Sequence, residues 1–199
     1  MNKTEIIDLC DAETPVCDAP EPFPLFEDQG VGLRTAAGNP LVCGGAYLET
    51  DCYEYKSDQR LWVEGPSLRN SRVDATSVEL PNGTFWIMSS YSGDEQYTTE
   101  LYQDGTFIDG PDLPNYGHVG YPCSTQLSET QTFYGNEFGF IDDHISNTFE
   151  ETPNHMPNSA YGAACGAATT ADGTRILIVA GGYGSTDFKS VLMYVAGQW

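Results

Sequence analysis

An all-β fold is predicted for this chain by three observations. Short β-branched or aromatic runs recur, Asn-Gly, Asp-Gly and Gly-Pro punctuate them, and helical periodicity is almost wholly lacking. The 199 residues suit one large domain or two small ones, and 40% hydrophobic with 12% aromatic residues is enough apolar material for a core. The formal charge of −21, from 8 basic and 29 acidic residues, is repelled by phosphate backbones and anionic leaflets. Neither nucleic acid nor a membrane surface is therefore expected as a partner. No run of 18 apolar residues is long enough for a transmembrane helix.

Residues 1–28 read as an acidic lead-in segment. Pro15, Pro20, Pro22 and Pro24 resist both helix and central strand, and Cys10 and Cys17 would close a loop if oxidised. Met1 to Cys10 carries Glu5 and Asp8 among its apolar residues, so it lacks the basic and long apolar regions of a secretory signal. Two sequons, at Asn2 and Asn82, are about what chance supplies and carry little weight.

Beyond the lead-in, two hairpins read as copies of one another. One runs from Thr76 to Met88 around Asn82-Gly83, the other from Ala167 to Ala180 around Asp172-Gly173. In each, the dipeptide is expected to take the positive φ values of a tight hairpin turn. The runs Val42-Cys43-Gly44-Gly45, Ile87-Met88-Ser89-Ser90, Phe133-Tyr134-Gly135 and Val179-Ala180-Gly181-Gly182 close successive hydrophobic strands, in steps of 45, 45 and 47 residues. A period of this size points to a propeller of β-sheet blades. Tyr55, Tyr102 and Tyr194 follow in step, with Ile141 in the third unit, and Trp62, Phe107, Phe149 and Trp199 close the units. The first two units also share Gly65-Pro66-Ser67-Leu68 and Gly110-Pro111-Asp112-Leu113.

Hydrophobic strand, Gly-Gly, spacer, Tyr, short turn, Trp and Gly-Pro-x-Leu resemble the kelch repeat over residues 30–199. The match is strongest at Gly44, Gly45, Tyr55 and Trp62 and at Gly181, Gly182, Tyr194 and Trp199. The resemblance implies a kelch-type β-propeller with blade-like units at about 29–68, 69–113, 114–153 and 154–199. It also implies that more than four blades are usual. Either the chain is part of a longer propeller, or four blades close with Thr4 to Leu9 completing the last sheet.

On this blade map Cys43 and Cys52 flank a short loop within one blade, and Cys123 and Cys165 hold matching places in the innermost strands of consecutive blades. Disulfides Cys43–Cys52, Cys10–Cys17 and Cys123–Cys165 are expected, and with them an extracellular or secreted location.

No catalytic or metal-binding motif stands out, and no cofactor is expected. Asp142-Asp143-His144 reads better as a solvated loop than as the start of a metal site, and Gln103-Asp104-Gly105-Thr106-Phe107 reads as a hairpin turn. Alternating strands would bring the loops after the second and fourth strands to one face, collecting Arg69, Arg72, Tyr91, Tyr97, Tyr116, His118, His155 and Tyr183. Tyrosine and arginine are enriched at binding hot spots, so this face is expected to take a protein or glycan ligand. The expected function is a non-catalytic binding module. Its rivals are an intracellular substrate adaptor for a ubiquitin ligase, with reduced cysteines, and a fragment of a galactose-oxidase-like or other propeller enzyme.

Overall fold

The computed structural model describes residues 5–7, 16–18, 23, 29–46, 49–91, 94–114, 121–135, 139–144, 148–152, 156, 161–182, 191–196 and 198–199. Among the described residues, strands β1 (Glu5–Ile7) and β2 (Val16–Asp18) pair with each other alone. The reading in which Thr4 to Leu9 complete the last blade is corrected by this pairing, which places Ile6 opposite Cys17. Cys10 lies outside the described residues, and with it the expected Cys10–Cys17 bridge.

Four antiparallel sheets follow, each built from strands consecutive in the chain. Sheet one holds β3 (Val31–Arg34), β4 (Pro40–Cys43), β5 (Cys52–Lys56) and β6 (Leu61–Glu64). Sheet two holds β7 (Thr76–Glu79), β8 (Phe85–Met88), β9 (Thr99–Gln103) and β10 (Thr106–Asp109). Sheet three holds β11 (Cys123–Gln126), β12 (Gln131–Gly135), β13 (Gly139–Asp143) and β14 (Thr148–Glu151). Sheet four holds β15 (Ala164–Thr169), β16 (Arg175–Ala180) and β17 (Val191–Val195), after which Val195 bridges to Gln198 and the Trp199 ring comes within 5.0 Å of Tyr194. The first strands lie side by side in the order β3, β7, β11, β15. The Ser77 hydroxyl donates to the Gly32 carbonyl (2.8 Å), and the Ser124 hydroxyl donates to the Ser77 carbonyl (3.2 Å).

The two predicted hairpins share one turn. Leu80 N–H donates to the Thr84 carbonyl (2.8 Å) and Thr170 N–H to the Thr174 carbonyl (2.9 Å), while Asn82 and Asp172 side chains each accept from the backbone two residues on. Gly83 and Gly173 have φ of +82° and +85°, but Asn82 and Asp172 are not in the left-handed region. The loop is thus longer than a two-residue turn, and only its glycine takes the left-handed position.

Cross-strand register aligns the sheets more closely than the sequence markers do. Leu41 pairs with Glu54, Trp86 with Leu101, Phe133 with Ile141 and Ile178 with Met193, a spacing of 45, 47 and 45 residues. The expected order of 45, 45 and 47 is corrected because Gly135 ends β12 inside the ladder, opposite Gly139. It is the counterpart of Cys43 and Met88, not of the residues after them. The same register gives the tyrosine slot of sheet three to Asp142, opposite Phe149, as Tyr55 stands opposite Trp62 and Tyr102 opposite Phe107.

Each sheet is apolar on both faces, and consecutive sheets bury them against one another. The forward face of sheet one (Val31, Leu33, Leu41) meets the rear face of sheet two (Phe85, Ile87, Tyr102, Phe107). Val78, Trp86 and Met88 on the forward face of sheet two meet Tyr134, Phe140 and Phe149. Phe133 on the forward face of sheet three meets Leu177, Val179, Tyr194 and Trp199. Two disulfides add covalent links: Cys43–Cys52 across the end of β4 and β5 (Cα–Cα 4.1 Å), and Cys123–Cys165 between the first strands of sheets three and four (Cα–Cα 5.6 Å).

Trp86 is 2% exposed at the centre of one junction, so Trp86→Ala is expected to cost about 3 to 5 kcal/mol in urea denaturation. The buried Tyr55 hydroxyl has no hydrogen-bond partner among the described residues. Tyr55→Phe, which removes that desolvated hydroxyl and keeps the ring, is expected to leave stability unchanged or raise it in the same assay.

Candidate binding face

The loops after the second and fourth strands are tied together by a buried ion pair. Arg72 and Glu100 are both fully buried, with Arg72 Nε and Nη2 at 3.1 and 3.0 Å from Glu100 Oε1. Nη1 donates to the carbonyls of Thr98 (2.8 Å) and Ser89 (3.2 Å). Glu100 also accepts from the backbone N–H groups of Arg69 (2.8 Å) and Asn70 (3.1 Å). Burying two charges is costly, and such a pair persists only with further hydrogen bonds, which backbone groups supply here to both partners. The Arg72 carbonyl in turn accepts from Gly45 N–H at 2.6 Å. A Cβ on Gly44 would stand 2.5 Å from that oxygen, and φ at Gly44 is +65°, so the glycine is required for close approach. Ser89 adopts the matching conformation in sheet two with φ of +73°, and its side chain hydrogen-bonds the Tyr134 hydroxyl of sheet three. Burial pushes the Tyr134 phenol up, against the opposing effect of that bond.

At the ends of the first strands, four chain segments meet around Tyr121. The ring of Tyr91, which is 53% exposed, lies 5.4 Å from that of Tyr121. Gln29 Nε2 donates to the Tyr121 hydroxyl (3.5 Å), and the Tyr121 carbonyl accepts from Gly162 N–H (2.8 Å). Tyr91 N–H is held by the Val73 carbonyl at 2.7 Å. Tyr121 has φ of +54°, and Gln29, Asp74 and Gly162, each two residues before the first strand of its sheet, have +62°, +54° and +66°, so the left-handed turn is a repeated feature of the fold. These contacts hold the exposed Tyr91 ring against the half-buried Tyr121 where segments of all four sheets meet.

The expected site residues divide accordingly. Tyr91 is on this face, and Arg69 stands at its rim, half exposed and 2.6 Å from Asp109. Arg72 is corrected: its guanidinium is enclosed by Glu100 and two carbonyls and cannot meet a ligand. Tyr97 ends a short 3-10 helix (Asp94–Tyr97) and packs half-buried between sheets two and three. Tyr116, His118, His155 and Tyr183 lie outside the described residues. Tyr121 and Gln29 were not anticipated by the sequence reading.

Asp142 and His144 do not form a solvated loop. Asp142 is 4% exposed, its Oδ2 is 2.6 Å from His144 Nδ1, and His144 Nε2 is 3.0 Å from the Thr132 hydroxyl. The His144 ring stands 5.8 Å from Trp86. This carboxylate–imidazole–hydroxyl chain has the order of a nucleophile relay, but Thr132 is fully buried and beyond a substrate's reach. It fills the slot that tyrosine holds in the other sheets. Among the described residues, no three His, Cys, Asp or Glu side chains converge as metal ligands. On the opposite face the hairpin turns of sheets one and two border a polar groove of about 380 Å³, where Arg34 pairs with Glu79.

The arrangement defines a class: an all-β protein of successive blade-like sheets in a propeller-like fold. A solved structure of YjhT matches it with a TM-score of 0.71 at 13% identity, covering 92% of this chain and 67% of that one. The likeness is one of fold. No family model and no curated protein matches the sequence.

Glu100→Gln keeps the shape of the side chain but leaves Arg72 as an uncompensated buried charge. It is expected to destabilise the protein by about 3 to 5 kcal/mol, read by urea denaturation at neutral pH. Burial pushes the Asp142 carboxyl above its ordinary value of 3.8, against the pull of His144. A carboxyl raised on folding contributes stability below its unfolded value, and that contribution is lost as pH rises through the folded one. Asp142→Asn removes this titration while retaining an acceptor for His144. Melting temperatures followed upward from the ordinary carboxylate range should therefore fall more steeply for the wild type than for this variant.

Proposed function

We propose that this chain is a kelch-type binding module without chemistry of its own, taking a protein or glycan ligand on the face that carries Tyr91 and Tyr121. The observation that carries the reading is the exposed Tyr91 ring set against the half-buried Tyr121, held where segments preceding or following strands of all four sheets converge. Rigid aromatic side chains offer large contact area at low entropic cost, and tyrosine serves equally against protein surfaces and sugar rings. Arg69 adds a partly neutralised cation at the rim. The two disulfides support an oxidising, extracellular setting over the cytosolic adaptor. The acid–imidazole chain of Asp142 and His144 ends on a fully buried hydroxyl, which favours binding over catalysis at that place.

The test uses the intact chain on arrays of glycans and of extracellular protein domains, with Tyr91→Ala and Tyr121→Ala alongside. Each substitution is expected to weaken the affinity for any captured ligand by about tenfold or more, with little change in melting temperature. Retained affinity in both variants, or an equal loss on changing Asn82 and Asp104 at the opposite groove, would overturn the assignment.

A further inference from the structure

The sequon Asn82-Gly83-Thr84 forms the turn between β7 and β8, and neither the fold nor the binding face accounts for its amide nitrogen. The turn between β15 and β16 is an internal comparison. Asn82 Oδ1 accepts from Thr84 N–H (3.0 Å), as Asp172 Oδ1 accepts from Thr174 N–H (3.1 Å). Gly83 and Gly173 N–H donate to the carbonyls of Leu80 and Thr170, both at 2.9 Å. Aspartate has no amide nitrogen, yet it builds the same turn. The turn therefore requires the side-chain oxygen alone. Asn82 is exposed, and its Nδ2 donates to no group among the described residues.

The surroundings of Asn82 leave room for a bulky polar substituent. It borders the groove of about 380 Å³ between the turns of sheets one and two, beside Arg34, Glu79, Gln103 and Asp104. These side chains offer donors and acceptors to hydroxyl groups. Thr84 is the opposite case, 6% exposed beneath the turn. An enzyme that reads the whole motif would therefore meet Thr84 before the hairpin packs, whereas Asn82 remains open to solvent afterwards.

We propose that Asn82 is an attachment site for an N-linked glycan whose first sugar stands at the mouth of this groove, an inference that rests on the extracellular reading above. The co-reactant is a lipid-diphosphate-linked oligosaccharide. The bond from its anomeric carbon to the diphosphate oxygen breaks, a bond from that carbon to Asn82 Nδ2 forms, one amide proton is released, and the lipid diphosphate leaves. Nδ2 keeps its other hydrogen, and the Oδ1 bond to Thr84 N–H is undisturbed. The glycan projects from the face opposite Tyr91 and Tyr121, so it leaves the proposed binding face open.

The experiment expresses the full chain behind a cleavable secretion leader in eukaryotic cells, with Asn82→Asp alongside. The secreted protein is treated in heavy-oxygen water with an amidase that removes N-linked glycans and leaves aspartate at the attachment position. Peptide mass spectrometry then reads position 82 separately from the sequon at Asn2. Most wild-type molecules are expected to carry heavy-oxygen aspartate at position 82. Asn82→Asp should lose that glycan while keeping both disulfides and nearly the same melting temperature, since it copies the Asp172 turn. An unmodified Asn82 in secreted, disulfide-bonded protein overturns the proposal and leaves the extracellular reading standing. So does aspartate without the label, which would mark spontaneous deamidation at Asn82-Gly83. A chain retained in the cells with its cysteines reduced overturns the extracellular reading, and the attachment site with it. A large drop in the melting temperature of Asn82→Asp would show that the fold needs the amide nitrogen, and would overturn its assignment as spare.

Discussion

Each of the four blade-like sheets has apolar side chains on both faces, and short-strand sheets of this kind gain most of their stability by burying those faces against one another. That constraint organises the rest. It explains why aliphatic and large aromatic side chains alternate through the junctions, why aromatics recur at the ends of the units, and why the chain turns back through the last bridge to set Trp199 on Tyr194. It also explains the exception. Where sheet three has Asp142 in place of an aromatic, the slot is filled by a hydrogen-bonded chain through His144 to Thr132, with Trp86 packed beside it. A carboxylate can occupy a junction between apolar faces only when such partners accompany it.

The loops are governed by a different interaction. Glu100, on a strand, holds the turn before sheet two by two backbone N–H groups and by Arg72, while Arg72 reaches the carbonyls of Ser89 and Thr98. Gly44 approaches the same turn closely enough to exclude a side chain. The glycine pair of the first unit and the buried arginine of the next loop are therefore parts of one joint between sheets. The exposed Tyr91 is fastened one step beyond it, through the Val73 carbonyl.

Much of this was legible in the sequence because it is local or periodic. The Asn82-Gly83 and Asp172-Gly173 hairpins rest on turn chemistry, and the Cys43–Cys52 and Cys123–Cys165 bridges follow once the strands are counted. What escaped depends on partners distant in the chain. Arg72 looks like a surface arginine until Glu100, 28 residues on, is placed beside it. Asp142 looks like a loop residue because β12 runs on through Gly135, which moves the tyrosine slot one residue on from Ile141, a shift that no hydrophobic pattern displays. Tyr121 lies two residues before a first strand, a place held by Gln29, Asp74 and Gly162 in the other sheets, where the residue types share no pattern. Its neighbours Gln29, Tyr91 and Gly162 come from segments remote in sequence, and their meeting is a property of the folded chain alone.

The Cys123–Cys165 bridge encloses β12, β13 and β14, three of the four strands of sheet three. A protease that cuts the chain at any peptide bond between those cysteines generates two fragments that stay covalently joined. The nicked protein keeps its full mass under denaturing but non-reducing conditions and separates only when a reductant is added. Sheet three, whose junctions support its neighbours on both sides, can thus be severed in sequence without being released.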